Sequence, residues 1–459
     1  MRLLGEVKRA STFWRSLAVL VLLAGVALNY GTSLAQQGAR EQPPPADRAT
    51  VTAIIDSVTA ALNEIYVFPK VAADMEKHVR DRLKKKAYDN IGNLADFTDT
   101  LTEDLLSVSH DRHLWVRWVP HAAYDRFKED SLTDADIQER IKRAAYENFG
   151  FEKVEHLAGN IGYVDFREFQ DASIGGATAV AAMNFLSNCD AIIFDLRQNG
   201  GGNPSMIQLI SSYFFEEPVH LNSFYIRAQD TIEQFWTQAY VQGPKMTDVD
   251  LYVLTSSYTF SGAEEFTYNM KNLKRATIIG ETTGGGAHPV NRHLFANLGV
   301  AVSLPYGRAI NPITGTNWEG VGVEPDIKVP QEEALDVARI EAMKKLAAKA
   351  TDENIKASLE WTIPVLEAYR NPATLDPALM ASYAGKYGPR TITYENGELY
   401  YQREGRPKYK MIPMSQDTFV FKELDYFRLK VVKDENGNIT HLEGQYAGGQ
   451  TDTSPRDKS

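Results

Sequence analysis

At 459 residues the chain is long enough for two or three domains with a sizeable core. Its net charge of −11 and pI near 5.4 argue against nucleic acid or an anionic membrane surface as the main partner. The composition is that of an ordinary globular chain, without a repeat array or a long low-complexity tract.

The N-terminus reads as an export signal over residues 1–35. Arg2, Lys8, Arg9 and Arg15 accompany an apolar run at 17–28, and Ser33-Leu34-Ala35 offers a small-residue cleavage site. The run is short of the ~20 apolar residues a spanning helix needs, so cleavage near Ala35 is expected and no stable membrane span afterwards. A periplasmic or secreted location follows. Residues 36–47, rich in Gln and Pro, form a flexible lead-in. Cys189 is the only cysteine, so no intrachain disulfide is possible; with no base beside it, it reads as a buried, inert thiol.

Residues 48–120 read as a helical cap. Val51, Ile54, Ile55, Val58 and Leu62 recur at helical spacing, and 71–83 and 94–108 behave similarly. The cap ends in SHDRHLWVRW at 109–118, where a helix gives way to a strand. His113 stands at that junction with His110 nearby, and either ring is a cleft residue or a packing one. Residues 122–146 are charged and helical, leaving no room for a peptide-binding module of about 90 residues.

The core is expected over 121–330. Residues 161–166 read as a strand and 177–186 as an Ala-rich helix. Residues 191–196 (AIIFDL) form a near-continuous apolar run, the pattern of a strand buried on both faces. It opens into the turn QNGGGNP. That turn matches neither G-x-x-x-x-G-K-[ST] nor G-x-G-x-x-G, so a phosphate loop is excluded. Its glycines offer backbone N–H groups for close approach, as an oxyanion site or as a plain tight turn.

The stretch 250–289 organises the rest. A strand at 251–254, a helix from Gly262 with Ala263, Phe266, Met270 and Leu273 on one face, and a strand at 276–279 give the wiring of a parallel α/β layer. Ser261 sits where strand hands over to helix, beside the unpaired N–H groups of the helix start. Ser261 with Glu264 also fits a capping box, S-x-x-E, so the hydroxyl is either a nucleophile or a cap. Residues 293–305 read as one or two strands. Glu319, beside Trp318 in a glycine-bounded turn, is a cleft carboxylate or a solvated one. Residues 331–370 hold two amphipathic helices, read as a linker over 331–374. From 375 to 459 the strand runs 391–394, 398–402, 409–413, 418–421 and 428–432, with hairpin signals Asn396-Gly397 and Asn436-Gly437, form a small antiparallel β domain.

Four ordered motifs resemble the tail-specific (C-terminal processing) serine protease family: DLRQNGGG at 195–202, TSSYTFSGAEEF at 255–266, IIGETTGGGA at 278–287 and GVGVEPDIKV at 320–329. The resemblance implies an α/β fold with a ClpP/crotonase-like core, export to the bacterial envelope, serine peptidase chemistry on peptides or unfolded proteins, and no cofactor or metal. The processing branch carries a lysine base where Thr282 stands here, and a PDZ insert that this chain lacks. Asp111-Arg112-His113 and the E-G-x-G-V-x-P-D run from Glu319 are instead similar to the branch of the tricorn core and the interphotoreceptor retinoid-binding modules. That likeness assigns the nucleophile to Ser261, the general base to His113 and an orienting carboxylate to Glu319. Arg112 occupies the place of tricorn's second serine. Oxyanion donors are expected from Gly200 or Gly201 together with Gly262. Glu281 reads as a supporting or capping residue, and His288 and His293 as weaker base candidates. The competing function is a non-catalytic binder of apolar ligands or peptides on the same fold. Nothing in the sequence specifies an oligomeric state.

Overall fold

The computed structural model describes residues 41–126 and 133–457. The expected export signal, and the lead-in up to residue 40, lie outside the described residues. Among those described, no helix is long and apolar enough to cross a membrane.

In chain order the cap comprises α1 (Arg48–Ile65), α2 (Pro69–Lys84), α3 (Leu94–Ser109) and strand β1 (Trp115–Trp118). Asp47 and Asn93 cap α1 and α3 by accepting backbone N–H bonds. After α4 (Asp134–Tyr146) come β2 (Phe151–Leu157), β3 (Ile161–Phe166), α5 (Ala172–Leu186), β4 (Ala191–Asp195) and α6 (Pro204–Ser211). A β5 (His220–Ile226) and β6 (Thr231–Trp236) hairpin precedes β7 (Asp250–Thr255), α7 (Gly262–Asn272) and β8 (Ala276–Gly280). Then follow β9 (Val290–Phe295), β10 (Val300–Pro305), β11 (Gly307–Ile310), β12 (Ile327–Lys328), α8 (Ala334–Lys349) and α9 (Glu353–Arg370).

The central sheet has six strands in the order β12-β8-β7-β4-β3-β2, parallel except for the β2–β3 pair. Alternation along β4 and β7 shows how it is buried. Ile192, Phe194, Leu251 and Val253 face α5–α7 and pack on Ala263, Phe266 and Met270. Ala191, Ile193, Tyr252 and Leu254 face the other way, against Ala338, Met343, Leu359 and Leu366 of α8 and α9. The two helices expected to be a linker therefore form the sheet's second covering layer, as two apolar faces require.

The cap is stitched to the core by a three-stranded sheet, β1-β10-β9. Val300, Val302 and Leu304 of β10 share an apolar core with Leu62, Leu101 and Val116. This pairing brings the Asp111–His113 turn to the carboxyl ends of the parallel strands, where sites of open α/β sheets form.

Beyond a short helix, Pro377–Tyr383, a four-stranded and a five-stranded antiparallel sheet share one apolar core. Asn396 (φ 53°) and Gly397 (φ 84°) make the turn that pairs Glu395 with Glu398. Three further strands, Gly385–Tyr387, Ile439–Tyr446 and Thr451–Pro455, extend the runs read from the sequence. This unit docks on α9, where the Tyr369 hydroxyl donates to the Phe421 carbonyl at 2.6 Å.

Candidate active site

Ser261 lies between β7 and the first residue of α7 with φ 54° and ψ −122°, a left-handed backbone uncommon for a residue with a Cβ. Such strain persists only when the surroundings impose it. Gly201 packs against this turn: a Cβ on that residue would lie 2.7 Å from the Gly262 nitrogen and 2.8 Å from Ser261 Cβ. The glycine-rich loop after β4 thus lies directly against the serine turn.

A buried carboxylate fixes the other side. Glu264 accepts the Ser261 N–H at 2.9 Å, the Gly285 and Gly286 N–H groups at 2.6 and 2.8 Å, and the Thr283 hydroxyl at 2.5 Å. The glutamate arm of the expected capping box is therefore present and clamps the 283–286 loop as well. Burial pushes the Glu264 carboxyl above its ordinary pKa, against these hydrogen bonds, which favour the anion.

Two more bonds tie that loop to the remaining motifs. Arg112 Nη1 donates to the Gly284 carbonyl at 2.6 Å, and Trp318 Nε1 donates to the Gly286 carbonyl at 2.6 Å. Glu319 accepts the Ala287 N–H through Oε2 at 2.6 Å. Glu281 accepts the N–H groups of Ser257 and Gln331, linking the same turns from the outside.

His113 and Ser261 line one cavity of about 530 Å³, together with Gly200, Gly201 and Phe260. The His113 ring packs on Phe260 at 4.7 Å between centroids, and a Cβ on Gly286 would meet His113 Cε1 at 2.6 Å. A ring nitrogen of His113 and one carboxylate oxygen each of Asp111 and Glu319 lie within 4.8 Å of one another. His113 Nδ1 and Glu319 Oε1 are buried and lack a hydrogen-bond partner among the described residues. Burial lowers the His113 pKa to about 4, so its ring is neutral at pH 7. Burial and the neighbouring Asp111 charge raise Glu319 to about 7. His110 is the left-handed C-cap of α3, with φ 55°, and takes no part in this cluster.

The sequence reading underrated one member. His288 Nδ1 meets Asp111 Oδ2 at 2.6 Å and Glu319 Oε2 at 3.5 Å, in a buried setting. Burial alone would lower the His288 pKa; the Asp111 hydrogen bond and charge outweigh it, and the net shift is upward. Asp111 also accepts the Tyr66 hydroxyl at 3.1 Å and the His113 N–H at 3.1 Å. The first residue of the D-x-H motif is thus the hub of the network. His293 lies away from it on β9, its ring packed on Phe295.

One expected oxyanion donor is corrected. The Gly201 N–H donates to Asn199 Oδ1 at 2.8 Å, because the fully buried Asn199 carboxamide needs a partner on its oxygen. No acceptor among the described residues takes the Gly200 or the Gly262 N–H.

With this geometry in view, the comparisons are specific. Residues 160–329 match Peptidase family S41, and residues 45–144 match the N-terminal domain of that family in eukaryotic IRBP. The chain thus carries a peptidase family S41 domain, that of the tail-specific serine proteases. A Staphylococcus haemolyticus (strain JCSC1435) protein, "Probable CtpA-like serine protease", is 23% identical over 39% of this chain. The match spans only 35% of that relative's length. Among solved structures, the photosystem II D1 C-terminal processing protease is 16% identical over 61% of this chain and 94% of its own, with a TM-score of 0.41. The tricorn protease is 12% identical over 70% of this chain and 37% of its own, with a TM-score of 0.42. The S41 match runs from β3 to just past β12, and so contains the Asn199, Ser261, Glu264, His288 and Glu319 turns. The IRBP-type match supplies Asp111 and His113. The site is thus assembled from both segments of the family's architecture.

Proposed function

We propose that this protein is an exported serine peptidase that hydrolyses peptide bonds in peptides or unfolded proteins. Ser261 is the nucleophile, His113 the general base and Glu319 the carboxylate that orients it. The observation that carries this reading is that His113 shares a cavity wall with the strained Ser261, while its buried Nδ1 and the buried Glu319 Oε1 of the adjoining cluster both lack a partner among the described residues. Export is supported by the basic and apolar residues at the N-terminus.

In the reaction, neutral His113 takes the Ser261 proton as Oγ bonds to the scissile carbonyl carbon. The oxyanion is received by the Gly262 N–H at the positive end of α7 and by that of Gly200. As the C–N bond breaks, His113 returns the proton to the leaving amine, and water repeats the sequence on the acyl-enzyme. Glu319 closes on Nδ1 as the ring becomes charged; separations looser than a hydrogen bond are common before substrate binds. Asp111 holds the turn that presents His113 through its bond to the His113 N–H.

Ser261→Ala is expected to lower kcat on an unfolded protein substrate on the order of 10⁴-fold or more. Cleavage by that variant at the wild-type rate would remove the assignment. A second reading of the base rests on the 2.6 Å Asp111–His288 pair, which has the form of an oriented imidazole. Comparing His113→Ala with His288→Ala decides it: the larger loss in the His288 variant transfers the role.

A further inference from the structure

Two cavities meet at Ser261. His113 borders the 530 Å³ one; the other, about 710 Å³, lies past Gly262 and contains Glu265. In the reading above His113 protonates the leaving amine, so the amine half of the substrate occupies the imidazole side. The side chain on the acyl half then enters the larger cavity.

Glu265 stands one helical turn from the nucleophile, its N–H donating to the Ser261 carbonyl at 2.9 Å. Positions four apart share a helix face, with Cβ atoms roughly 5–6 Å apart, about the reach of a long side chain. The residue is 3% exposed, and its Oε1 has no hydrogen-bond partner among the described residues. Its nearest polar neighbour is the fully buried carboxamide of Asn222 on β5, which faces the carboxyl without closing a hydrogen bond of normal geometry. Burial holds the Glu265 carboxyl up at about 7, against Asn222, whose side chain favours the anion. Unpartnered buried polar groups are rare, and one opening on a cavity beside a nucleophile calls for a partner from the ligand.

The walls agree with a cation. Glu168 and Glu233 also line the cavity, with Asp171, which caps α5 and accepts from Asn203, against Arg140 and Arg292, which are likewise engaged. Phe224, Phe235 and Trp318 supply an apolar and aromatic surface for a methylene stem. We propose that Glu265 is the floor of the pocket for the residue on the acyl side of the scissile bond, and that this residue is lysine or arginine. A cationic head completes the carboxylate, and its stem lies on the aromatic wall.

This proposal rests on the peptidase reading, so two readouts separate them. In the first, a peptide library is digested by the wild-type protein and by Glu265→Gln, and kcat/KM is compared for peptides differing only in Lys or Leu at the cleaved residue. Wild type is expected to favour Lys at least about 100-fold, in keeping with sites built around a buried polar partner, and the Lys-to-Leu ratio to fall at least about 30-fold in the variant. A general loss of packing would lower both rates and keep the ratio. In the second, Ser261→Ala, alone and combined with Glu265→Gln, is titrated calorimetrically with product peptides ending in Lys or Leu. Lys-selective binding that disappears with Glu265→Gln, without turnover in wild type, sinks the peptidase reading and keeps the pocket. Equal handling of Lys and Leu in both readouts, or selectivity untouched by Glu265→Gln, overturns the pocket.

Discussion

Burial acts on the proposed base and on its orienting carboxylate in opposite senses. It holds His113 neutral, with its pKa down at about 4, and keeps a proton on Glu319 up to about 7. A neutral imidazole is the form that accepts a serine proton, so His113 is in the form the proposed reaction needs over the whole neutral range. Only ionised Glu319 stabilises the imidazolium that then forms. In the proposed mechanism the activity then requires the deprotonated side of the Glu319 titration: it is expected above pH 7 and is lost as pH falls through it. A kcat/KM profile is expected to rise with a midpoint near 7, while Glu319→Gln loses that limb and lies on the order of 10²–10⁴-fold lower at pH 8. An unchanged midpoint in the Gln variant would assign the limb to another group, such as His288.

At the scale of elements, α7 shows which parts of a sequence announce themselves. Its Ala263, Phe266 and Met270 recur at helical spacing and do face the core. The opposite side carries Glu264, Glu265 and Asn269, all buried, with Glu264 under the 283–286 loop and Glu265 against Asn222 of β5. Periodicity sees only the helix; it has no view of loops arriving from elsewhere in the chain. The same limit hid the Asp111–His288 pair, whose members are 177 positions apart. The strained serine turn was legible because strand, polar turn and helix are contiguous. Glu264 gives this a test. Glu264→Ala strips the acceptor from three backbone N–H groups and one hydroxyl, and breaking a buried polar network of this kind costs about 3–5 kcal/mol. Denaturant titration is expected to show that loss, and kcat to fall well below the level in Glu264→Gln, which keeps an acceptor oxygen. Similar activity in the two variants would mean that the loop is held by other contacts.

The whole molecule is held by faces that the sequence assigns to different units. Residues 331–370 look like a linker because their amphipathic helices follow the last family motif and precede a change of composition. The sheet requires otherwise: β4 and β7 alternate apolar side chains to both faces, and without α8 and α9 one face has no cover. Likewise β10 belongs by sequence to the core and by packing to the cap, which is why the site needs both. Met343 measures the first of these couplings. It is fully buried, and its Cε lies 3.0 Å from where a Cβ on Gly159 would project. Met343→Ala is expected to cost about 2–5 kcal/mol, the range for truncating a core side chain. A residue on a true linker helix would stay within about 0.5 kcal/mol. Chemical denaturation of the two proteins decides between these values. Because the loss falls on the sheet that carries Ser261, peptide cleavage by the variant is expected to fail at a lower temperature than in the wild type, in step with the loss of helical signal.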